Sequence, residues 1–253
     1  MKLFYKFTFL DLIAFAIIFS SQNIKAQEEE NATGFEFTYG ADLISRYIWR
    51  GGELAGKNNP QFQPSVNFSY STESAGTVSF NIWSSFGLKK NYIETDFTLS
   101  YNIATNFGEF GVSLVDYYYP YQKQKFFNFK DNGEGSHTVE AAFSYVPTED
   151  FPLKLLLANN ILNDLPNDNS LYIEASYPFE LLTLSFNAFA GAAKGNSLYY
   201  GVNTDKFELI NTGISVSREV SFTESFAMQF GLDEIYNPHT KKNYIVLKIS
   251  YYN

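Results

Sequence analysis

Between residues 35 and 50 the chain reads FEFTYGADLISRYIWR, and apolar and polar positions alternate along it. Phe35, Phe37, Tyr39, Ala41, Leu43, Tyr47 and Trp49 hold the odd positions together with Ser45, and every charge (Glu36, Asp42, Arg46, Arg50) holds an even one. Successive side chains of an extended strand point to opposite faces, so this pattern predicts a strand with one apolar and one polar side. The stretch is far longer than the ~5–6 residues of an ordinary strand. A strand of an outer-membrane barrel needs ~10 tilted residues to cross the hydrocarbon, and this one suits that length.

The same period recurs to the end of the chain. PSVNFSY sets Val66, Phe68 and Tyr70 against Ser65, Asn67 and Ser69, and TVSFNIWSSFGL keeps Val78, Phe80, Ile82, Phe86 and Leu88 in phase. YIETDFTLSYNI opposes Ile93, Phe97, Leu99, Tyr101 and Ile103 to Glu94, Asp96, Thr98, Ser100 and Asn102. Further segments follow at 109–117, 138–146, 153–161, 171–177, 181–191, 210–218, 226–232 and 244–252, for twelve predicted strands in all. No stretch after residue 26 carries a helical period with caps.

The connections sort by parity. The first (51–61), fifth (about 118–137), seventh (NDLPNDNS), ninth (192–206) and eleventh (DEIYNPHTKK) are long or polar, with the third, 89–91, a short exception. The even ones include tight turns at 71–76 and 178–181, with REVSFTES of moderate length. Short turns at one end and long loops at the other are the asymmetry of membrane barrels. The predicted fold is all-β: a transmembrane antiparallel up-and-down β-barrel of about twelve strands, with the N-terminus and all even-numbered connections on the periplasmic side.

Composition adds three points. Residues 1–26 read as a cleaved signal peptide, with Lys2 and Lys6 before an apolar stretch over 7–19, and Ala26 at the cleavage site. Residues 27–33 are then a short periplasmic segment and 34–253 the barrel. Without cysteine the chain has no disulfide, thiolate metal site or lipid-anchoring cysteine. The chain after residue 26 carries 15 basic against 26 acidic residues, net −11, which argues against a nucleic-acid partner. A mean hydropathy of −0.19 is compatible with a barrel, whose strands average an apolar face with a polar one.

The segment GADLISRYIWRGGELAGKNNPQFQPSVNFSY resembles the start of the Gcw_chp family, also called TorF-type porins. Ser45, Arg46, Tyr47, Trp49, Arg50 and Gly51 match its Ser-Arg-Tyr-x-Trp-Arg-Gly core, and Gln63 and Pro64 its second-strand start. The resemblance implies a bacterial outer-membrane barrel, with surrounding lipid and the barrel-assembly machinery as partners.

In a membrane barrel the polar face lines the lumen. Glu36, Asp42, Arg46, Arg50, Glu94, Asp96, Glu140, Lys154, Glu174 and Lys248 are the lumen-lining candidates, with Asp233 in the same phase. Opposed charges across a narrow lumen select polar solutes, and the acidic excess favours cations. The same charges could instead pair and fill the lumen. Arg46 and Arg50 read either as a constriction for carboxylate or phosphate, or as Arg46 neutralising an inward acid with Arg50 at the rim. Tyr47, Trp49, Phe86, Tyr92, Phe222, Tyr251 and Tyr252 lie near strand ends and are candidates for interfacial aromatic girdles. VDYYYPYQ, residues 115–122, reads as girdle leading into an external loop, or as a stacking surface for rings.

Catalysis is not expected. Ser136 and His137 are adjacent and on a strand would face opposite ways, and His239 sits in a loop. DLPNDN has oxygen ligands without EF-hand spacing and reads as a solvated loop. No metal or cofactor is expected. The function that follows is passive passage of small polar solutes. The alternatives are a closed structural or surface-interaction barrel, an outer-membrane lipid hydrolase, and a soluble secreted barrel with its apolar face turned inward.

Overall fold

The computed structural model describes residues 33–120, 125–148, 150–165 and 170–253. The proposed signal peptide, residues 1–26, and most of the short segment 27–33 lie outside the described residues. Among the described residues fourteen strands occur in the order β1 (Gly34–Ile44), β2 (Ile48–Trp49), β3 (Gly52–Glu53), β4 (Gln61–Thr72), β5 (Gly76–Gly87), β6 (Ile93–Thr105), β7 (Gly108–Tyr118), β8 (His137–Val146), β9 (Lys154–Leu162), β10 (Leu171–Leu181), β11 (Leu184–Ser197), β12 (Val202–Thr223), β13 (Phe226–Asn237) and β14 (Lys242–Tyr252). Twelve of them form one closed antiparallel barrel, and β2 and β3 pair only with each other. The wall closes where β1 meets β14, with Gly40 opposite Tyr252 and Ile44 opposite Lys248. Closure leaves no unpaired strand edge, which stabilises a sheet protein that has no disulfide.

Alternation sets the two surfaces as the sequence predicts. Phe35, Phe37, Tyr39 and Leu43 of β1 are exposed on the outside, as are Phe68, Phe80, Leu99, Leu114, Phe143, Leu157, Ile245 and Leu247 around the wall. The opposite residues point inward, and Ser69 donates from β4 to Glu36 of β1 inside the barrel. A soluble protein buries its apolar side chains. Here they form the exterior, so the inverted, soluble arrangement is not the one adopted.

One end of the barrel carries tight turns, with two or three residues between β4 and β5, β6 and β7, β10 and β11, and β12 and β13. At Gly76 the turn needs φ +73°, and a Cβ there would stand 2.2 Å from the Asn102 carbonyl oxygen. The opposite, loop end carries the long connections, residues 45–60 and 119–136 above all. Several connections differ from the sequence reading. The ninth and eleventh are four-residue turns, 198–201 and 238–241, because β11, β12 and β13 run on beyond their predicted ends. Register shifts at Gly191/Ala192 and Ala193/Gly195 let β11 and β12 bend as they extend. β12 also continues through Thr223, since Val220 and Phe222 keep the alternation, and so the tenth connection is tight.

Candidate functional site

The first strand stops six residues before its alternation does. Ser45 donates its backbone N–H to the Leu247 carbonyl at 2.9 Å, and its Oγ accepts from the Leu247 N–H at 2.9 Å, which completes the pairing with β14. The chain then turns into the lumen. Residues 45–60 pack as a plug in its loop end, built on the β2–β3 hairpin, with Ile48 opposite Glu53 and Trp49 opposite Gly52. Arg50 and Gly51 form the hairpin tip with φ of 47° and 76°. Positive φ at both central residues is the signature of a type I′ turn, which Gly meets freely and Arg at a cost of about 1–2 kcal/mol. Gly51 is required a second time by space, because a Cβ there would lie 1.9 Å from the Ile210 carbonyl oxygen. Asn237 from β13 donates to the Gly51 carbonyl at 3.0 Å and holds the tip against the wall.

Arg50 is the anchor of the plug. Its Nη1 and Nη2 donate to the two Glu140 carboxylate oxygens at 2.5 and 2.9 Å, and Nη1 also donates to the Tyr200 hydroxyl at 2.6 Å. Tyr117 donates to Glu140 at 3.2 Å, so the carboxylate is satisfied from three sides. The guanidinium carbon lies 4.4 Å from the Trp49 ring centre and 4.3 Å from that of Tyr172. A desolvated cation over a ring contributes about 0.5–2 kcal/mol. Tyr172 is held by Glu174, to which it donates, and by Asn211, whose amide donates to its hydroxyl at 3.0 Å. Gly191 leaves the room for it, since a Cβ there would stand 2.1 Å from the Tyr172 hydroxyl. Trp49 stacks on Tyr200 at 5.6 Å and meets the edge of Tyr117 at 5.8 Å. Burial alone would push the Arg50 guanidinium down, but Tyr200 and Glu140 hold it above its ordinary value, and it stays charged.

The rest of the plug is held more loosely in charge and tightly in shape. Arg46 pairs with Glu53 at 3.2 Å inside the same loop and lies over Tyr244. Tyr47 packs between Trp83 and Tyr92 at 5.7 and 6.0 Å. Buried Asn59 accepts from the Lys89 and Lys90 N–H groups at 2.9 and 3.0 Å, tying the foot of the loop to the next connection.

Each predicted lumen residue can now be placed. Glu36, Asp42, Glu94, Asp96, Glu140, Lys154, Glu174 and Lys248 all project inward from the wall, by their registers with inward neighbours. Glu140 and Glu174 gather at the plug, and Glu94 accepts from Tyr92 at 2.7 Å close by. Arg46 and Arg50 do not line the wall. They belong to the plug, and Arg50 is buried in an ion pair, not set at the rim. Toward the turn end the lumen opens into a cavity of ≈ 210 Å³ lined by Thr98, Ser100, Asn102, Ser113, Ser144 and Lys154, among others.

The aromatic girdle needs correcting. Phe86, Phe222 and Tyr251 are on the exterior, and Tyr251 packs on Phe226 at 5.5 Å. Tyr47, Trp49 and Tyr92 are inside the lumen, because the plug draws them there. Tyr252 faces inward over Gly40. In the 115–122 run Tyr117 faces the plug and Tyr118 stacks on His137 at 4.9 Å on the outside, while residues 121 and 122 lie outside the described residues.

Tyr117 belongs to the aromatic 115–122 run, whereas alternation singles out none of Tyr172, Tyr200, Asn211 and Asn237, which complete the anchor. The one local signal was the Gly51–Gly52 pair directly after Arg50, a turn cue at the end of an apparent strand.

Away from the lumen, His137 is fully buried on the outer flank of the wall. Its Nδ1 is hydrogen-bonded with the Asp116 carboxylate at 2.8 Å, its Nε2 lies against the Phe126 carbonyl, and its ring stacks on Phe129 at 4.1 Å. Ser136 donates to the Lys125 carbonyl at 2.8 Å, so neither imidazole nitrogen is available to it. Asp164 of DLPNDN is buried, not solvated, and accepts from Ser170 and Asn160; residues 166–169 lie outside the described residues.

An apolar exterior around a charged, loop-filled lumen defines an outer-membrane-type β-barrel. The chain belongs to the Gcw_chp family, described as bacterial protein of unknown function, whose model matches residues 28–237. No curated protein matches it in sequence. Among solved structures it is similar to the COG4313 outer membrane channel from Pseudomonas putida F1, with TM-score 0.50 and 12% identity over 91% of this chain and 99% of that one. A membrane-protein structure from "Unveiling the Mechanism Behind the in-meso Crystallization of Membrane Proteins" gives 0.50 and 11% over 86% and 83%. LpxR from Salmonella typhimurium gives 0.44 and 12% over 85% and 99%. For the first two, at these identities, the likeness is one of fold.

Proposed function

We propose that the protein is an outer-membrane channel for small polar solutes, preferring cations, whose resting lumen is closed by its own first loop. The observation that carries the reading is the distribution of the lumen's contents. The turn end is a cavity lined by hydroxyls, an amide and Lys154 together with Ala142 and Leu156, while the loop end is filled by a segment of chain anchored at its tip through an ion pair. A barrel built only as a scaffold would gain from apolar packing through its whole length. A partly polar cavity beneath a removable segment suits passage.

The apolar exterior fits lipid, and the loop asymmetry supports a periplasmic turn end with the plug near the cell exterior. Insertion would then follow the route of other such barrels, through the assembly machinery. Glu94 and Asp96 of β6, Glu140 of β8 and Glu174 of β10 project into the lumen from one arc of the wall, and clustered carboxylates favour cations. The alternative of a closed barrel is favoured by the completeness of the aromatic packing around Trp49.

Planar-bilayer recordings decide between the two. Wild type is expected to give small or rare conductance steps, and a variant lacking residues 46–58 large, cation-selective ones. A silent deletion variant that still inserts as a folded barrel would leave the closed reading standing.

A further inference from the structure

The recess that holds Arg50 is made almost wholly of parts that do not travel with it. Glu140 stands on β8, Tyr117 on β7 and Tyr172 on β10, and Tyr200 lies in the turn between β11 and β12. Only Trp49 shares the loop with the arginine. With the loop withdrawn, the wall keeps the Glu140 carboxylate, buried in the closed state, two tyrosine hydroxyls within 3.3 Å of it, and the face of Tyr172.

The chemistry of that recess is selective. Two carboxylate oxygens spaced for parallel N–H donors take a guanidinium in two-point contact. The ring face takes a flat, weakly hydrated cation better than a compact, strongly hydrated one. A sodium ion uses neither feature, and a quaternary ammonium offers no N–H donor. A second feature also calls for a cation. Asp96, opposite Tyr117 on the next strand, is nine-tenths buried, and its Oδ1 has no hydrogen-bond partner among the described residues. Arg50 reaches the recess only by holding a φ of 47° at the hairpin tip. That strained backbone favours release once another cation can take its place.

We infer that the Glu140–Tyr117–Tyr172–Tyr200 recess is a binding site for guanidinium-bearing solutes, and that Arg50 fills it as an internal stand-in that such a solute displaces. As a substrate class this rests on the channel reading above, while the binding itself is measurable without a current.

The probe is methylguanidinium chloride, with sodium and tetramethylammonium chlorides at equal ionic strength as controls. In detergent micelles the Arg50→Ala variant is expected to melt at a higher temperature with methylguanidinium than with either control, because a ligand that binds only the folded state stabilises it. The Arg50→Ala/Glu140→Gln double variant is expected to lose that rise. An equal response to all three cations, or one that survives Glu140→Gln, overturns the proposal.

Wild-type protein supplies a measurement that needs no variant to fold. Amide hydrogen exchange across residues 46–53 is expected to quicken with methylguanidinium and not with sodium. Unchanged exchange overturns the displacement. Binding without any bilayer current supports the site and removes the channel reading. Current that shows no response to methylguanidinium removes the site and leaves the channel.

Discussion

Arg50 and Glu140 are ninety residues apart in the chain and meet in a two-point ion pair inside the barrel, at 2.5 and 2.9 Å. The carboxylate is 2% exposed and the guanidinium 11%. Removing one member of a buried pair leaves the other charge without a partner, which costs about 3–5 kcal/mol. Arg50→Ala is therefore expected to lower the melting temperature and to raise bilayer conductance together. A double-mutant cycle with Glu140→Gln is expected to show a coupling of about 0.5–3 kcal/mol, the range for groups in one network. Additive effects in that cycle would mean the pair does not anchor the plug.

Gly51 offers the same outcome without touching a charge. Its φ of +76° and the 1.9 Å approach of the Ile210 oxygen to a would-be Cβ forbid a side chain there. Gly51→Ala is expected to destabilise the hairpin by more than about 1 kcal/mol and to open the lumen as Arg50→Ala does. Wild-type conductance in this variant would show that the tip does not close the pore.

Arg46 provides the contrast. Its partner Glu53 belongs to the same loop, and both side chains keep some solvent contact, at 25% and 16% exposure. A partly solvated pair contributes about 1 kcal/mol or less. Arg46→Ala is expected to leave both melting temperature and resting conductance near wild type, as thermal scans and bilayer traces would show.

Lys154 is the basic residue lining the turn-end cavity. Replacing it with Glu reverses a charge in the proposed pathway without touching a plug contact. With the plug deleted, Lys154→Glu is expected to shift the reversal potential in a salt gradient further toward cation selectivity. No shift would place the ion path elsewhere.

His137 fastens residues 125–136 to the exterior through Asp116, the Phe126 carbonyl and the stacked rings of Tyr118 and Phe129. His137→Ala is expected to release that loop to limited proteolysis without altering conductance, because the cluster sits outside the lumen. A change in conductance with an intact loop would contradict that separation.

Alternation made the barrel legible because a pleated strand has only two faces. Phe35, Phe37, Tyr39 and Leu43 had to share one side and Glu36 and Asp42 the other, whatever the partner strands. The same rule placed Glu94, Asp96, Glu140, Lys154, Glu174 and Lys248 inward, and the turn residues set the count of wall strands at twelve. Alternation could not end the first strand. Ser45, Tyr47 and Trp49 keep the odd–even rhythm through Arg50, and a strand in the wall and a hairpin inside the lumen both meet one polar and one apolar neighbourhood. Only the closed barrel separates them. It brings Glu140, Tyr172 and Tyr200, each remote in sequence, into a buried recess that fits a guanidinium, and the free energy of filling it turns the chain inward at Ser45. Which face each side chain takes was thus decided by local geometry, and the closing of the lumen by contacts that exist only once the wall has closed.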